Sequence, residues 1–355
     1  MATTTPHYAV LDGLRGTAAI AIVVFHFTEF AYPDYAANPI GHGFLAVDFF
    51  FCLSGFVIGH AYDHRLRTMT VRQFLRQRLI RLHPLVLLGA LLGLAAFLLD
   101  PWSTSVAKAG AANIALACVA AMLMVPAPIL PDRGGGLFPL NPPTWSLFWE
   151  YAINLAYILG LGRLRTPGLA LVALAGAAGL LLVAAQSGSL IGGWGISNIW
   201  DGLPRVLYSF TAGLIVHRLG WRWRGVGFVP LSLLLIVLFA MPYWPGNGFI
   251  EAALVILGFP LIVALGAGAA DGGRQRGLCL WLGRLSYPLY MTHNAVMFPF
   301  GNYLAKHPMS ATALWSVIAI GTAALCGAAA LAMRLYDEPV RAWLAGRGRA
   351  ISRPA

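Results

Sequence analysis

The sequence predicts an all-α membrane protein, a bundle of about ten transmembrane helices. Of its 355 residues, 59% are hydrophobic and only 10% are charged, against about 25% charged residues in an ordinary soluble domain. Apolar runs of about 20 residues, the length that crosses a bilayer, recur from one end to the other. No soluble-type stretch separates them, so we predict one transmembrane domain over 1–340, followed by a basic cytoplasmic tail, 341–355.

Eleven apolar segments are candidates for spans. No basic region precedes the first and no cleavage motif follows it, so we expect a retained helix and no removable signal peptide. The segments are 8–30, 43–60, 82–99, 108–126, 144–162, 167–185, 200–217, 226–242, 249–269, 283–304 and 311–335.

Arginine-rich loops between the segments predict the orientation. Six arginines lie between Asp63 and His83, and the positive-inside rule places this loop in the cytoplasm. Two spans precede the loop, so the N-terminus is predicted to be cytoplasmic too. Two segments separate each neighbouring pair of the later basic clusters, which are Arg163 with Arg165, Arg218 with Arg222 and Arg224, Arg274 with Arg276 and Arg284, and Arg334 with the four arginines that follow it.

The fourth segment breaks this spacing. Three segments lie between the first basic loop and Arg163, so one of them cannot cross completely. We assign this to 108–143, where an alanine-rich run precedes "VPAPILPDRGGGLFPLNPP", whose prolines and glycines cannot continue a helix. The segment is predicted to be re-entrant or interfacial and to wall a cavity, since irregular backbone at membrane depth needs protein or water around it. The alternative, with Arg163 and Arg165 outside, would invert every later cluster.

The first helix carries ionisable residues, which usually mark a pathway or a reaction site within a span. In "LDGLRGTAAIAIVVFHF", Arg15 and His26 lie eleven residues apart, so they share one helical face and are separated by about 16 Å along the axis. Asp12 is spaced to pair with Arg15. For each residue alone, an arginine that reaches the cytoplasm or a satisfied core histidine is an equal alternative, and the shared face favours function.

Two carboxylates lie in other segments. Asp48, in "LAVDFFFCLSGFVI", needs a partner, and we expect His26 or Arg15 to supply it. Glu150 lies about two turns into the helix that Thr144 is expected to cap. The ten-span topology predicts a depth for Glu150 similar to that of His26.

The remaining polar patterns are weaker. Tyr290 and His293, in "LGRLSYPLYMTHN", are one turn apart and either line the site or anchor the helix at the interface. His60 and His64 have the spacing of metal ligands but no further ligands, so no metal site is predicted. The four cysteines show no paired spacing and are interpreted as small buried residues. The net charge of +11 is interpreted as a topology signal, and no nucleic-acid partner is predicted.

Six further sequence motifs occur in a fixed order: "LDGLRGTAAIAIVVFHF", "VDFFFCLSGFVIG", "FLRQRLIRLHP", "TWSLFWEYAIN", "LGRLSYPLYMTH" and "YDEPVRAWL". Together they resemble the integral membrane acyltransferase-three family of O-acyltransferases, and the resemblance covers nearly the whole chain. It implies about ten helices and transfer of an acyl group from cytoplasmic acyl-CoA, usually acetyl-CoA, to a hydroxyl of a carbohydrate or similar acceptor. Acyl-CoA is a co-substrate in this interpretation, and no bound cofactor is predicted.

The resemblance implies roles for individual residues. His26 and Arg15 match the essential histidine and arginine, and Glu150 matches an acidic position, although "FWEY" stands where many members carry two acidic residues. We group Asp48 with them as catalytic. The basic motif, with Arg72, Arg76, Arg78 and Arg81, is predicted to bind the donor. Trp145, Ser146, Tyr290 and His293 are predicted to line the acceptor site or cavity.

These residues predict a mechanism. Arginine forks suit the phosphates of a CoA nucleotide, so the nucleotide is expected to stay at the cytoplasmic mouth while the thioester reaches His26. His26 would accept the hydroxyl proton, with Asp48 or Glu150 fixing its tautomer. Nucleophilic attack by His26 itself is the alternative.

Other functions stay open at this stage. A proton-coupled transporter or flippase also uses ionisable residues within spans, but no duplicated broken-helix pattern is present. A structural scaffold is a third alternative. Within the enzyme class, the acceptor could be an envelope glycan or exopolysaccharide precursor, a macrolide, a lipid or a small metabolite. We expect a multi-pass protein of the inner membrane with both ends in the cytoplasm, and predict no oligomeric state.

Overall fold

The computed structural model describes residues 7–269 and 273–351, with side chains up to residue 346. Helices make up all the regular structure of these residues, and they form no strand. The helices are α1 (Ala9–Ala31), α2 (Ala46–Tyr62), α3 (Val71–Leu99), α4 (Ser105–Ala109), α5 (Ala111–Met122), α6 (Thr144–Leu159), α7 (Thr166–Ser187), α8 (Gly202–Arg218), α9 (Phe228–Phe239), α10 (Asn247–Ala253), α11 (Phe259–Gly268), α12 (Arg276–Thr292), α13 (Met297–Lys306), α14 (Ala311–Ala332) and α15 (Glu338–Ile351).

Several helices are long and apolar enough to cross a membrane. π-helical turns join α10 to α11 and α14 to α15, so each pair forms one continuous rod. By length and composition, six helical stretches of the described chain qualify: Ala9–Ala31, Gly43–Arg65, Val71–Leu99, Thr166–Ser187, Asn247–Gly268 and Ala311–Gly346. The protein is therefore an all-helical, multi-pass membrane protein.

Local sequence signals explain where two of the long helices begin and end. Thr70 accepts a hydrogen bond from the backbone N–H of Gln73, whose side chain accepts one from the backbone N–H of Thr70. This capping box starts α3. Pro167 occupies the first turn of α7, and Gly188 ends that helix in the left-handed conformation, with φ of 70°.

Small residues bring α2 and α8 into backbone contact. A Cβ added at Gly55 would clash with the carbonyl oxygen of Phe210, and one at Gly213 with that of Cys52. Helices in membranes associate closely where such small residues meet. The contact therefore fixes which side chains of α2 face α8.

Contacts between helices show their relative directions. α1 runs parallel to α9 and α12, α3 runs parallel to α12, and α2 runs parallel to both α6 and α8. α3 is antiparallel to α6, and α7 is antiparallel to α8. The parallel directions follow from two residue pairs each: Arg15–Ser286 and His26–His293 for α1 with α12, Gly13–Phe228 and Thr17–Ser232 for α1 with α9, and Leu82–Tyr287 and Gly89–Met291 for α3 with α12. For α2 the pairs are Ser54–Glu150 and Asp63–Tyr157 with α6, and Asp48–Arg205 and Asp63–Arg218 with α8. The antiparallel directions follow from Arg78–Glu150 and Gly93–Leu140 for α3 with α6, and from Gly176–Tyr208 and Gly179–Pro204 for α7 with α8.

The segment 108–143 does not form one spanning helix. Its main helix, α5, has 12 residues and is about 18 Å long, against a hydrocarbon core of about 30 Å. The irregular chain that follows enters the bundle. The Asn141 amide donates to the carbonyl of Met291 at 3.1 Å, and Gly93 of α3 lies against the Leu140 backbone. This agrees with the re-entrant interpretation, and α6 consequently begins inside the bundle.

Candidate active site

Arg15 is held between α1 and α12. Its guanidinium donates to Asp12 Oδ1 at 2.7 Å, so the pair expected from the sequence is present. It also donates to Ser286 Oγ and to the carbonyl of Gly283, both at 3.0 Å. These bonds fix the guanidinium against α12.

His26 faces the end of the same helix. Its ring stacks on that of His293, in the turn that follows α12, with centroids 5.2 Å apart and planes at 24°. Arg15 and His26 therefore do lie on one face of α1, as their spacing predicts.

Glu29 is the direct partner of His26, a pairing that was not predicted from the sequence. Its Oε1 lies 2.7 Å from Nδ1 of His26, and the two side chains are 25% and 18% exposed. The phenol of Tyr35 lies beside the same carboxylate. If Nδ1–H donates to Glu29, Nε2 is the ring atom left to accept a proton. The spacing of His26 and Glu29 could have indicated this pair, because residues three apart are neighbours on a helix.

Three of the four predicted lining residues come together, and one of them, His293, contacts His26. His293 is fully buried and its Nδ1 lies 3.0 Å from the carbonyl of Leu289. Tyr290 lies with its ring 6.0 Å from that of His293, and its hydroxyl is 2.7 Å from Ser146 Oγ. Trp145 is separate, since its ring packs 5.1 Å from the guanidinium of Arg205.

The expectation that His26 or Arg15 pairs with Asp48 is wrong. Arg205 of α8 donates to Asp48 Oδ2 at 2.6 Å and to Oδ1 at 3.1 Å, and both side chains are buried. The glycine contact between α2 and α8 turns Asp48 toward α8 and away from α1. Asp48 therefore does not orient His26.

The expected depth of Glu150 is also wrong. Tyr290 marks the level of Ser146, and Glu150 lies one turn further toward the end of the bundle that holds Arg15. From the register of α6 and α12, Glu150 is about 10 Å below His26. The cause is the early start of α6, which begins inside the bundle after the irregular segment.

Glu150 is the centre of a second cluster. Its Oε1 accepts hydrogen bonds from Ser54 at 2.5 Å, from Arg78 at 3.0 Å and from Asn154 at 3.3 Å. The carboxylate is therefore committed to α2 and α3, and does not contact His26.

The four arginines predicted to bind the donor differ in their surroundings. Arg78 is buried and paired with Glu150. Arg76 is exposed and donates to the carbonyl of Leu344 at 3.1 Å. Arg72 and Arg81 are also exposed. Arg78 and Arg76 thus already make hydrogen bonds within the protein.

Among the described residues, no three His, Cys, Asp or Glu side chains are grouped to hold an ion. The four cysteines are free.

Comparison with known proteins decides the family. A family model described as an acyltransferase domain matches residues 8–333, nearly the whole chain. The chain belongs to the acyltransferase-three family. The matched region includes both clusters, since it contains Arg15, His26, Glu150 and His293.

Two curated proteins resemble this family member. "Acyltransferase MdmB" of Streptomyces mycarofaciens is 27% identical over 344 residues, which cover 89% of the present chain and 85% of MdmB. "Protein 2 in picA locus" of Rhizobium radiobacter is 36% identical over 188 residues, 50% of the present chain and 95% of the relative. No solved structure matches.

In this acyltransferase-three protein, two kinds of side-chain group lie at different levels of the bundle. The end of the bundle near Arg15 concentrates guanidinium groups, which suit phosphate binding. The level of His26 supplies an imidazole oriented by a carboxylate, which suits proton transfer.

Proposed function

We propose that the protein is a membrane O-acyltransferase that moves an acyl group, acetyl in the first instance, from cytoplasmic acyl-CoA to a saccharide hydroxyl. The acceptor is proposed to be an envelope glycan, an exopolysaccharide or a precursor of either. The observation that carries the proposal is the contact of His26 with Glu29, on the helical face that also presents Arg15. Family membership supports the transfer of an acyl group.

The helix directions support a ten-span topology. If the chain crosses ten times, with 108–143 re-entrant, α1, α3, α7, α9 and α12 run outward, and α2, α6 and α8 run inward. The observed parallel and antiparallel pairs fit this alternation without exception. The chain would then form a single domain, 1–340, followed by its basic tail, with both ends in the cytoplasm. We propose that this domain lies in the inner membrane.

The proposed reaction balances with one proton shuttled by His26. Nε2 of His26 takes the proton of the acceptor hydroxyl, and the oxygen attacks the thioester carbonyl. The C–O bond forms, the C–S bond breaks, and the CoA thiolate takes the proton back from the imidazolium. Glu29 fixes the tautomer of His26 and stabilises its positive charge. Acyl-CoA is a co-substrate in this scheme, and no bound cofactor or metal is proposed.

Glu150 and Asp48 take different places from those first expected. Glu150 lies between the levels of His26 and Arg15 and is paired with Arg78, so we propose that it positions a donor-binding arginine. Asp48 is paired with Arg205, so its proposed contribution is to the structure around the site. Ser146, Tyr290 and His293 are proposed to line the space where donor and acceptor meet.

The test is acyl transfer by purified protein in vesicles. Radiolabelled acetyl-CoA supplied on the cytoplasmic face should label crude cell-surface glycan with the wild type. The His64→Ala variant should behave alike, because His64 is exposed and is not among the residues proposed to bind donor or acceptor. Labelled glycan that requires the protein supports the proposal. If neither glycan nor any other hydroxyl acceptor becomes labelled while CoA release stays at background, the proposal fails.

A further inference from the structure

Four arginines from three helices converge at the end of the bundle that holds Arg15. Arg81 of α3 interacts electrostatically with Arg15 of α1, Arg78 of α3 and Arg341 of α15. Like charges gathered in this way repel one another unless anions lie among them. The carboxylates near these arginines therefore determine how much positive charge remains to bind a ligand.

Three of these arginines have a carboxylate of their own. Asp12 pairs with Arg15 at 2.7 Å, and Glu150 pairs with Arg78 at 3.0 Å. Arg341 of α15 pairs at 3.2 Å with Asp337, one helical turn before it.

Arg81 has no carboxylate of its own, and Asp337, the partner of Arg341, is the carboxylate that acts on it electrostatically. Within residues 7–269 and 273–346, no carboxylate comes within ion-pair distance of it, and its side chain is exposed. Four guanidinium groups thus face three carboxylates. The cluster carries one uncompensated positive charge at an accessible position.

The C-terminal helix makes contacts with α12 and α3 next to this cluster. Arg284 of α12 donates to Glu338 at 2.6 Å, and Arg76 donates to the carbonyl of Leu344 at 3.1 Å. Asp337 is buried, whereas Arg341 remains 32% exposed. α15 therefore presents Arg341 beside Arg81, in a segment that follows the region 8–333 covered by the family model.

We propose that α15 is a wall of the donor site, in which Arg81 and Arg341 together bind the phosphate groups of the acyl-CoA nucleotide. This rests on the proposed function. A planar guanidinium offers paired donors that match phosphate oxygens. Arg81 supplies the uncompensated charge, and Asp337 orients Arg341 by one of its oxygens. Arg15 and Arg78, which are tied to carboxylates, contribute to the potential of the site.

Direct binding of CoA tests the proposal. The full chain is placed in nanodiscs of phosphatidylcholine and titrated with CoA. Arg81→Gln and Arg341→Gln should each weaken binding about tenfold or more, the usual effect of losing a hydrogen bond to a charged group. Arg165→Gln, at an exposed arginine of the α6–α7 loop, should bind as the wild type does. Wild-type affinity in Arg341→Gln would overturn the proposal.

Two further measurements distinguish donor binding from misfolding and from lipid binding. Arg341→Lys should retain part of the affinity, whereas a loss caused by misfolding would lower the unfolding temperature of the Gln variant with it. Nanodiscs containing phosphatidylglycerol test a lipid phosphate as the ligand. If Arg341→Gln abolishes stabilisation by phosphatidylglycerol but leaves CoA binding unchanged, the site binds lipid and the proposal is wrong.

The CoA-binding assay and the acyl-transfer assay test the donor site and the proposed function separately. CoA binding that depends on Arg341, without any acyl transfer, supports the site and contradicts the proposed function. Acyl transfer by the wild type, together with CoA binding that is unchanged in Arg341→Gln, supports the proposed function and contradicts the donor site on α15. A wild-type protein that binds no CoA overturns the proposal for α15, whatever the transfer assay shows.

Discussion

Glu29 Oε1 lies 2.7 Å from Nδ1 of His26, one helical turn away on α1. A carboxylate in this position fixes the imidazole tautomer and stabilises the imidazolium formed during proton transfer, the role of the acidic residue in catalytic triads. In the proposed mechanism, Glu29, and not Asp48 or Glu150, is therefore the carboxylate that orients His26.

Replacing Glu29 should therefore affect the chemical step. Glu29→Gln keeps a polar partner but removes the charge, so kcat should fall at least about tenfold while KM for acyl-CoA stays close to that of the wild type. Asp34→Asn, at an exposed carboxylate of the following loop, is the matched control and should be neutral. Steady-state kinetics of acyl transfer check both. A Glu29→Gln enzyme with wild-type kcat would remove Glu29 from the mechanism.

Glu150 should act on the donor instead. Because it holds Arg78 and lies about 10 Å below His26, Glu150→Gln should raise KM for acyl-CoA by several-fold. The pH dependence of kcat should not change, since the proton acceptor is untouched. A pH–rate profile that shifts in Glu150→Gln, with KM unaltered, would show that Glu150 exchanges the proton.

Asp48 should be needed for stability. Asp48→Asn leaves the buried guanidinium of Arg205 without its counter-charge, and breaking such a pair costs about 3–5 kcal/mol. Thermal unfolding in detergent should show a large loss. The double variant Asp48→Leu with Arg205→Met, which removes both charges, should recover much of it. If Asp48→Asn unfolds as the wild type does but has lost activity, Asp48 is catalytic after all.

The glycine contact between α2 and α8 should not tolerate a methyl group. Gly55→Ala places a Cβ against the carbonyl oxygen of Phe210, so the helices must separate and the unfolding temperature should drop. Gly327→Ala is the control, because no atom lies near its Cβ position and alanine favours a helix by about 1 kcal/mol. Equal unfolding temperatures for the two variants would contradict the close packing.

Local patterns predicted more than long-range ones. Helical periodicity alone placed Arg15, His26 and Asp12 correctly, because those relationships lie within one helix. The partner of Asp48 lies 157 residues away, and is selected by the packing of small residues between two helices, which no spacing in the sequence reports. Glu150 was placed at the wrong depth for a related reason. The start of α6 depends on how far the irregular segment enters the bundle.

The role of His26 is tested most directly by measuring acyl transfer and CoA binding on the same variant. His26→Ala should lower the transfer rate by about 10²–10⁴-fold, while its affinity for CoA stays within about twofold of the wild type, because the arginines that bind the nucleotide are unchanged. Transfer that persists at the wild-type rate in His26→Ala would contradict a reaction centred on this histidine.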